Sequence, residues 1–254
     1  MSAPNTLTSN FENGVTNAAK FQTMGNAGIP DPSWAHVYHN DFDTFLASDW
    51  TVTKVGTGTT ALTAGDGGQL LLTTTTGATD ALYMQLAAAS FSLPTTRDVF
   101  FKFAGTLGDV TNCAFYCGLL NTTTTPLAAT DGVYLYKASG AATLQLISLV
   151  GSVATTINLP TVCVPVAATQ FELGIHVDYL GNIEAFFNPG TGAQFNILGP
   201  LSSSSGNLQN RGRVALSPTP GLTTATLNVS YGILNAAAAA KTLTVDYVTA
   251  VRQR

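Results

Sequence analysis

Hydrophobic and polar residues alternate with a period of two along most of this chain. The clearest case is residues 171–179, Phe-Glu-Leu-Gly-Ile-His-Val-Asp-Tyr. Phe171, Leu173, Ile175, Val177 and Tyr179 fall on one face, and Glu172, His176 and Asp178 on the other. Gly181-Asn182 follows, suited to the positive φ of a tight hairpin, and Ile183 to Phe187 returns. The same chemistry predicts strands over Trp50–Val55, Gln69–Thr74, Ala81–Leu86, Val99–Phe103 and Cys113–Leu119. It predicts them again over Gly132–Lys137, Thr143–Val150, Ala154–Leu159, Gly212–Leu216, Thr224–Ile233 and Thr242–Val251. Gly, Asn, Asp and Pro punctuate these runs every 8–12 residues or so, the spacing of a sandwich. About a dozen strands with no intervening helical pattern read as all-β, without a parallel sheet.

Two segments depart from the pattern. Residues 1–38 read as a polar N-terminal arm, ahead of a domain over 39–254. Within the arm Ser9-x-x-Glu12 has the form of a capping box, and Phe11, Val15, Ala18, Ala19 and Gln22 follow helical spacing. The second is Asn235–Lys241, whose alanines predict a loop or one helical turn between the last two strands.

Composition narrows the function. Only 24 of 254 residues are charged (10 basic and 14 acidic), and the glutamates are Glu12, Glu172 and Glu184 alone. A typical domain is about one quarter charged. Acid–base chemistry needs converging ionisable groups, so the composition argues against an enzyme and for a contact surface. Net charge is −4, which excludes a basic nucleic-acid footprint. Mean hydropathy is +0.24, yet no run reaches the roughly 18–20 apolar residues that span a bilayer, so no membrane partner is expected. Met1-Ser2-Ala3-Pro4-Asn5 lacks a basic and an apolar region, so no secretory leader is expected. Cys113, Cys117 and Cys163 show no paired zinc spacing and read as buried structural thiols, the first two on one strand face.

The candidate chemistry is sparse. Glu172, His176 and Asp178 share a strand face and read as its solvated side, with His176 bonded to Asp178 or to a neighbouring strand. Asp41, Asp43 and Asp66-Gly67-Gly68 hold calcium-type oxygens but read first as turn and cap residues. His36 and His39 flank Tyr38 and read as linker. There is no Gly-x-Ser-x-Gly elbow and no phosphate loop. Asn121 and Asn228 open formal glycosylation sequons that so much Thr and Ser produces by chance. No catalytic, cofactor-binding or metal residue is assigned.

One set of motifs resembles a known family. Asp131-Gly132-x-Tyr-x-x-Lys137-x-x-Gly140, the following Leu-x-Leu strand with its Gly151 turn, and Glu172-Leu-Gly-Ile-x-Val-Asp178-x-x-Gly-Asn-Ile183 resemble the concanavalin-A-like jelly rolls of tailed-phage virion proteins. Asn40-Asp41-Phe42 … Asp49-Trp50 and Leu243-x-Val-Asp-Tyr-Val248 are similar to the first and last strands of such sandwiches, which pair side by side. The likeness spans roughly residues 38–252. It implies an antiparallel jelly-roll β-sandwich after an N-terminal arm. It further implies a capsid decoration or cement protein, a homotrimer favoured, bound to the major capsid protein on the virion surface after synthesis in the host cytoplasm. Glycosidases of this fold class use a Glu-x-Asp-x-Glu run, which is absent here. A carbohydrate-binding, lectin-like module for host attachment is the alternative, with Trp34, Trp50 and loop tyrosines as available aromatics.

Overall fold

The computed structural model describes residues 35–253 apart from 66, 89, 94–96, 162, 189–195, 198–214 and 217–220. The expected arm lies outside the described residues as far as residue 34, and its capping box at Ser9 and Glu12 with it. In chain order the strands begin with β1 (Ala35–Asn40), β2 (Trp50–Val55), β3 (Thr59–Thr63), β4 (Gln69–Thr73), β5 (Ala81–Leu86) and β6 (Phe91–Ser92). They continue with β7 (Val99–Leu107), β8 (Cys113–Leu120), β9 (Gly132–Lys137), β10 (Gln145–Val150), β11 (Val153–Asn158) and β12 (Gln170–Val177). Last come β13 (Ile183–Asn188), β14 (Asn196–Ile197), β15 (Ala215–Leu216), β16 (Thr226–Asn235) and β17 (Thr242–Gln253).

These strands form two sheets, antiparallel at every pairing described. One runs β14-β13-β12-β7-β17-β4-β3, with β1 added to β17 and β15 to β13. The other runs β11-β10-β9-β8-β16-β5-β2, with β6 added to β16. The fold is an antiparallel β-sandwich of jelly-roll type: the alternation predicts its all-β character, and the jelly roll is what the resemblance implies. Its core lies between the sheets. Phe101, Phe103, Phe171, Leu173, Ile175 and Phe187 from one face meet Phe115, Leu119, Leu135, Leu146 and Tyr231 from the other. Full burial of such a side chain stabilises by about 1.5–3 kcal/mol. Phe103 sits at the centre, with ring centroids 5.5 Å from Phe115 and 5.6 Å from Tyr231.

The motif residues at 131–140 turn out to be fasteners. Asp131 Oδ1 accepts from the Gly151 amide at 3.1 Å and from Thr223 Oγ1 at 2.6 Å, tying β9 to the β10–β11 turn. Lys137 is buried, and its Nζ donates to the carbonyls of Val110 and Ala138. Ser139 Oγ and the Gly140 amide both donate to the Thr111 carbonyl. The loop between β7 and β8 is thereby pinned to the end of β9.

Three expectations shift, and of the two forms expected for the alanine run the structure takes the loop. His39, where the domain was expected to begin, lies inside β1, because residues 35–40 pair with Gln253–Val248 of β17. His36 and His39 are therefore strand residues and not linker. β3 carries no large apolar alternation and sits at a sheet margin, mostly exposed, which left it unrecognised. β12 stops at Val177, since the Asp178 and Gly181 amides are committed to a turn. The alanine run forms bends and no helical turn: the Asn235 side chain donates to the Ala239 carbonyl at 3.1 Å. Of the strand predicted over Gly212–Leu216, residues 215–216 form β15 and the rest lies outside the described residues.

Candidate functional site

Ionisable side chains converge on the outer face of the nine-stranded sheet. Alternation sends Phe171, Leu173, Ile175 and Val177 inward, so Glu172, Gly174 and His176 of β12 face out. Register then supplies their neighbours. Glu172 lies opposite Asn188 of β13 and Ala104 of β7, and His176 lies opposite Glu184 of β13 and Phe100 of β7. A β-bulge in β17 between Val245 and Tyr247 resets that strand, which keeps Val248 in the core and turns Tyr247 outward.

Two groups result. In the first, the Glu172 carboxylate accepts from Tyr247 Oη at 2.6 Å and from Asn188 Nδ2 at 3.1 Å. Lys102 Nζ stands 3.3 Å from the same carboxylate and 4.9 Å from the centre of the Tyr247 ring. Burial first, and then the Glu172 charge, push the Tyr247 hydroxyl well above its usual range. His39 approaches the Tyr247 ring at 6.2 Å and bonds Thr249 Oγ1 at 2.7 Å. Gln170 donates to Asp246 at 2.8 Å alongside, and burial raises the Asp246 carboxyl.

In the second group, His176 stacks on Phe100 with parallel rings 4.3 Å apart. Its Nδ1 lies 3.3 Å from Glu184 Oε2, and its Nε2 lies 3.6 Å from Asp98 Oδ2. His176 and Glu184 are both buried, so the expectation of a solvated face is corrected here. The Phe100 ring stacked on His176 covers it on the adjacent strand. Asp178 does not join the cluster. Its carboxylate accepts from the Leu180 and Asn182 amides and from the Asn182 side chain, which makes it a turn residue. Gly181, with φ of +86°, completes that turn where a side chain would be strained.

Glu172 and Glu184 lie on adjacent strands, four ladder positions apart. At roughly 3.3 Å per residue that is about 13 Å, beyond the roughly 5–10 Å over which two carboxylates act on one glycosidic bond.

The remaining candidates disperse. Asp66 lies outside the described residues, and Asp43 is exposed on the loop after β1. A Cβ on Gly68, whose φ is +92°, would fall 2.4 Å from the Phe42 carbonyl oxygen, so this glycine serves loop closure. Among the described residues no three His, Cys, Asp or Glu side chains are grouped to hold a metal ion. Cys113, Cys117 and Cys163 are free and buried, with burial lifting Cys113 and Cys163 to about 11, as structural thiols require. Trp34 lies outside the described residues, whereas Trp50 is core. Only Tyr179 of the tyrosines sits in a turn. Asn228 is buried and donates to the Leu86 carbonyl, so its sequon is structural. Asp98, Phe100, Lys102 and Tyr247 went unrecognised in the sequence, because their roles depend on which strands become neighbours.

No family model and no curated relative matches the chain. In structure it is similar to an endo-1,3-beta-glucanase from Streptomyces sioyaensis, at TM-score 0.54 and 12% identity over 87% of this chain and 98% of that one. It is similar to the VIP36 exoplasmic/lumenal domain in its Ca2+/Man3GlcNAc-bound form, at 0.53 and 8% over 80% and 83%. It is similar also to peanut lectin, at 0.52 and 8% over 86% and 97%. At such identities the likeness is one of fold. The chain has the antiparallel, concanavalin-A-like jelly-roll β-sandwich fold.

Proposed function

We propose that this chain is a non-catalytic recognition domain whose ligand is carbohydrate, bound across the outer face of the nine-stranded sheet. The observation that carries the reading is the group around Glu172. There a carboxylate, an ammonium, an amide and a phenol meet beside the rings of Tyr247 and His39. Sugar hydroxyls both donate and accept, and this set offers both functions beside ring faces that suit the apolar side of a pyranose. The carboxylate separation supports recognition over hydrolysis. The similar lectin-type structures support the same reading. A glycan array with the full chain tests it. At least one glycan is retained by the wild type, and Glu172→Gln weakens it about tenfold, the loss of one charge-assisted hydrogen bond. No retained glycan, or equal retention by the variant, sinks the reading. Polysaccharide hydrolysis that Glu172→Gln abolishes would make the domain an enzyme instead.

A second reading is favoured by the apolar side chains left open on loops of a chain so poor in charge: Leu46, Val166, Tyr179 and Leu180 are 59–69% exposed. Protein interfaces are depleted of charge at their centres. On this reading the chain decorates a phage capsid as a homotrimer on the major capsid protein. Mixing the purified chain with expanded capsid shells tests it, and a chain that stays in the supernatant on sedimentation removes it.

A further inference from the structure

The outer face of the eight-stranded sheet carries tyrosines that solvent barely reaches. Phe115, Cys117 and Leu119 of β8 point into the core, so Tyr116 points out, and register places Tyr136 of β9 opposite it. Tyr134 lies two residues along β9 on the same face, and Tyr83 of β5 is reached across Gly232 of β16. A Cβ on Gly232 would fall 3.0 Å from the Tyr83 and Tyr116 rings alike. The glycine therefore lets the two rings close over the strand, with centroids 5.9 Å apart. Although they face outward, Tyr83, Tyr116 and Tyr134 are only 5%, 1% and 5% exposed. Packed on this cluster is the connection from β8 to β9, through Leu127 and Ala129, with Pro126 also buried.

That connection is built as a strap. Its base is tied down: the Asn121 amide donates to the Asp131 carbonyl at 3.0 Å, and the Thr123 amide to Gln85 Oε1 at 3.1 Å. Its middle rests on apolar contact, since among the described residues the hydrogen bonds of residues 124–129 stay within the segment. On the face beneath, the Tyr116 hydroxyl is buried without a hydrogen-bond partner among the described residues, a cost the strap leaves standing. We infer that residues 122–130 are a resident, exchangeable ligand, and that an uncharged proline-containing peptide segment of a partner protein takes their place on the tyrosines. The occupant already seated there sets the partner's chemistry, because residues 122–130 include Pro126 and Leu127 and carry no charge. Proline-rich segments dock on aromatic rows in an extended form that uses no carbonyl internally. The strap instead spends its Thr125 and Pro126 carbonyls on its own turn. An extended peptide has such a carbonyl free for Tyr116, and that difference shifts the equilibrium away from the strap. The face belongs to the opposite sheet from Glu172, so a peptide bound here leaves the Glu172 group open.

The probe is a fluorescein-labelled peptide of residues 122–130, read by fluorescence anisotropy against the full chain. Pro126→Gly together with Leu127→Ser loosens the chain's own strap. This double variant binds the peptide about tenfold more tightly than the wild type, whose strap competes for the face. Gln85→Ala, which frees the strap's base, shifts affinity the same way and replaces the double variant if that one lacks a cooperative melting transition. A peptide carrying the same two substitutions binds none of the three proteins. In the wild type, millimolar peptide speeds hydrogen exchange at the Ala128 and Ala129 amides, whose bonds within the strap are released as it leaves. Folded variants that bind the peptide no better than the wild type overturn the proposal. Exchange rates that the peptide leaves unchanged overturn it equally, as does a neutral oligosaccharide, cellohexaose, that binds the loosened variants where the peptide does not.

Discussion

Tyr231 is the inward-facing residue around which the two sheets meet. Its ring packs 5.2 Å from Trp50 and 5.6 Å from Phe103, yet its hydroxyl is buried with no hydrogen-bond partner among the described residues. An unpaired buried hydroxyl costs free energy that its ring does not need. Tyr231→Phe therefore holds or raises stability by about 1 kcal/mol in urea denaturation. A clear loss of stability would show that the hydroxyl is satisfied. Lys137 shows the opposite management of a buried polar group, since its ammonium finds two carbonyls. Burial lowers its pKa, and the loop carbonyls keep it in place. Single residues of this kind were partly legible beforehand. The thiols at 113, 117 and 163 were read correctly because their spacing matches no other use. The partners of His176 were not legible, since Glu184 and Asp98 reach it only through the registers of β13 and β7.

At the scale of elements, alternation located β2, β5 and β9 to the residue, because each has turn chemistry on both sides. It missed β1, which carries histidines and a tyrosine, and β3, which carries small and hydroxylated residues. Both strands take their conformation from the neighbour they pair with and not from a pattern of their own. The Asp131 motif is different, being a local device with a mechanism. Its carboxylate holds the Gly151 amide and the Thr223 and Thr130 hydroxyls, and those donors, Thr223 first, draw its pKa down. Asp131→Ala lowers stability by about 1–3 kcal/mol in urea, two or three charge-assisted hydrogen bonds at partly exposed sites. Unchanged stability would mean that the β10–β11 turn stands without it.

For the whole molecule, acid is the informative stress. The Asp109 carboxylate accepts from Lys241 Nζ at 2.5 Å and from the Thr111 and Asn112 amides at 2.7 and 3.0 Å. Lys241 first, and then those amides, hold its pKa well below the usual range. A carboxyl lowered by folding contributes stability that is present above its unfolded pKa of about 4 and is lost as pH falls below it. Asp131 and Asp178 act with the same sign, and Asp246, raised by burial, acts against them. The urea midpoint should fall between about pH 4 and pH 2, less steeply in Asp109→Asn. A wild-type midpoint flat over that range would remove Asp109 from the account. The sandwich was legible as a class because its core strands alternate so cleanly. The group around Glu172 was not, because Glu172 meets Tyr247 only after a bulge no periodicity announces.

The order of strands within the sheets also governs how the molecule is made. β17 lies between β7 and β4, and β16 lies between β8 and β5. The last two strands of the sandwich in chain order are thus inner strands of the two sheets. Until residue 226 has been synthesised, the strands that flank β16 and β17 in each sheet lack these partners and their facing edges are open. Closure must then recruit partners more than a hundred residues upstream, the long-range pairing that slows folding and exposes a chain to its neighbours. The early strands wait as margins of an unfinished seam, and β16 and β17 sew both sheets shut.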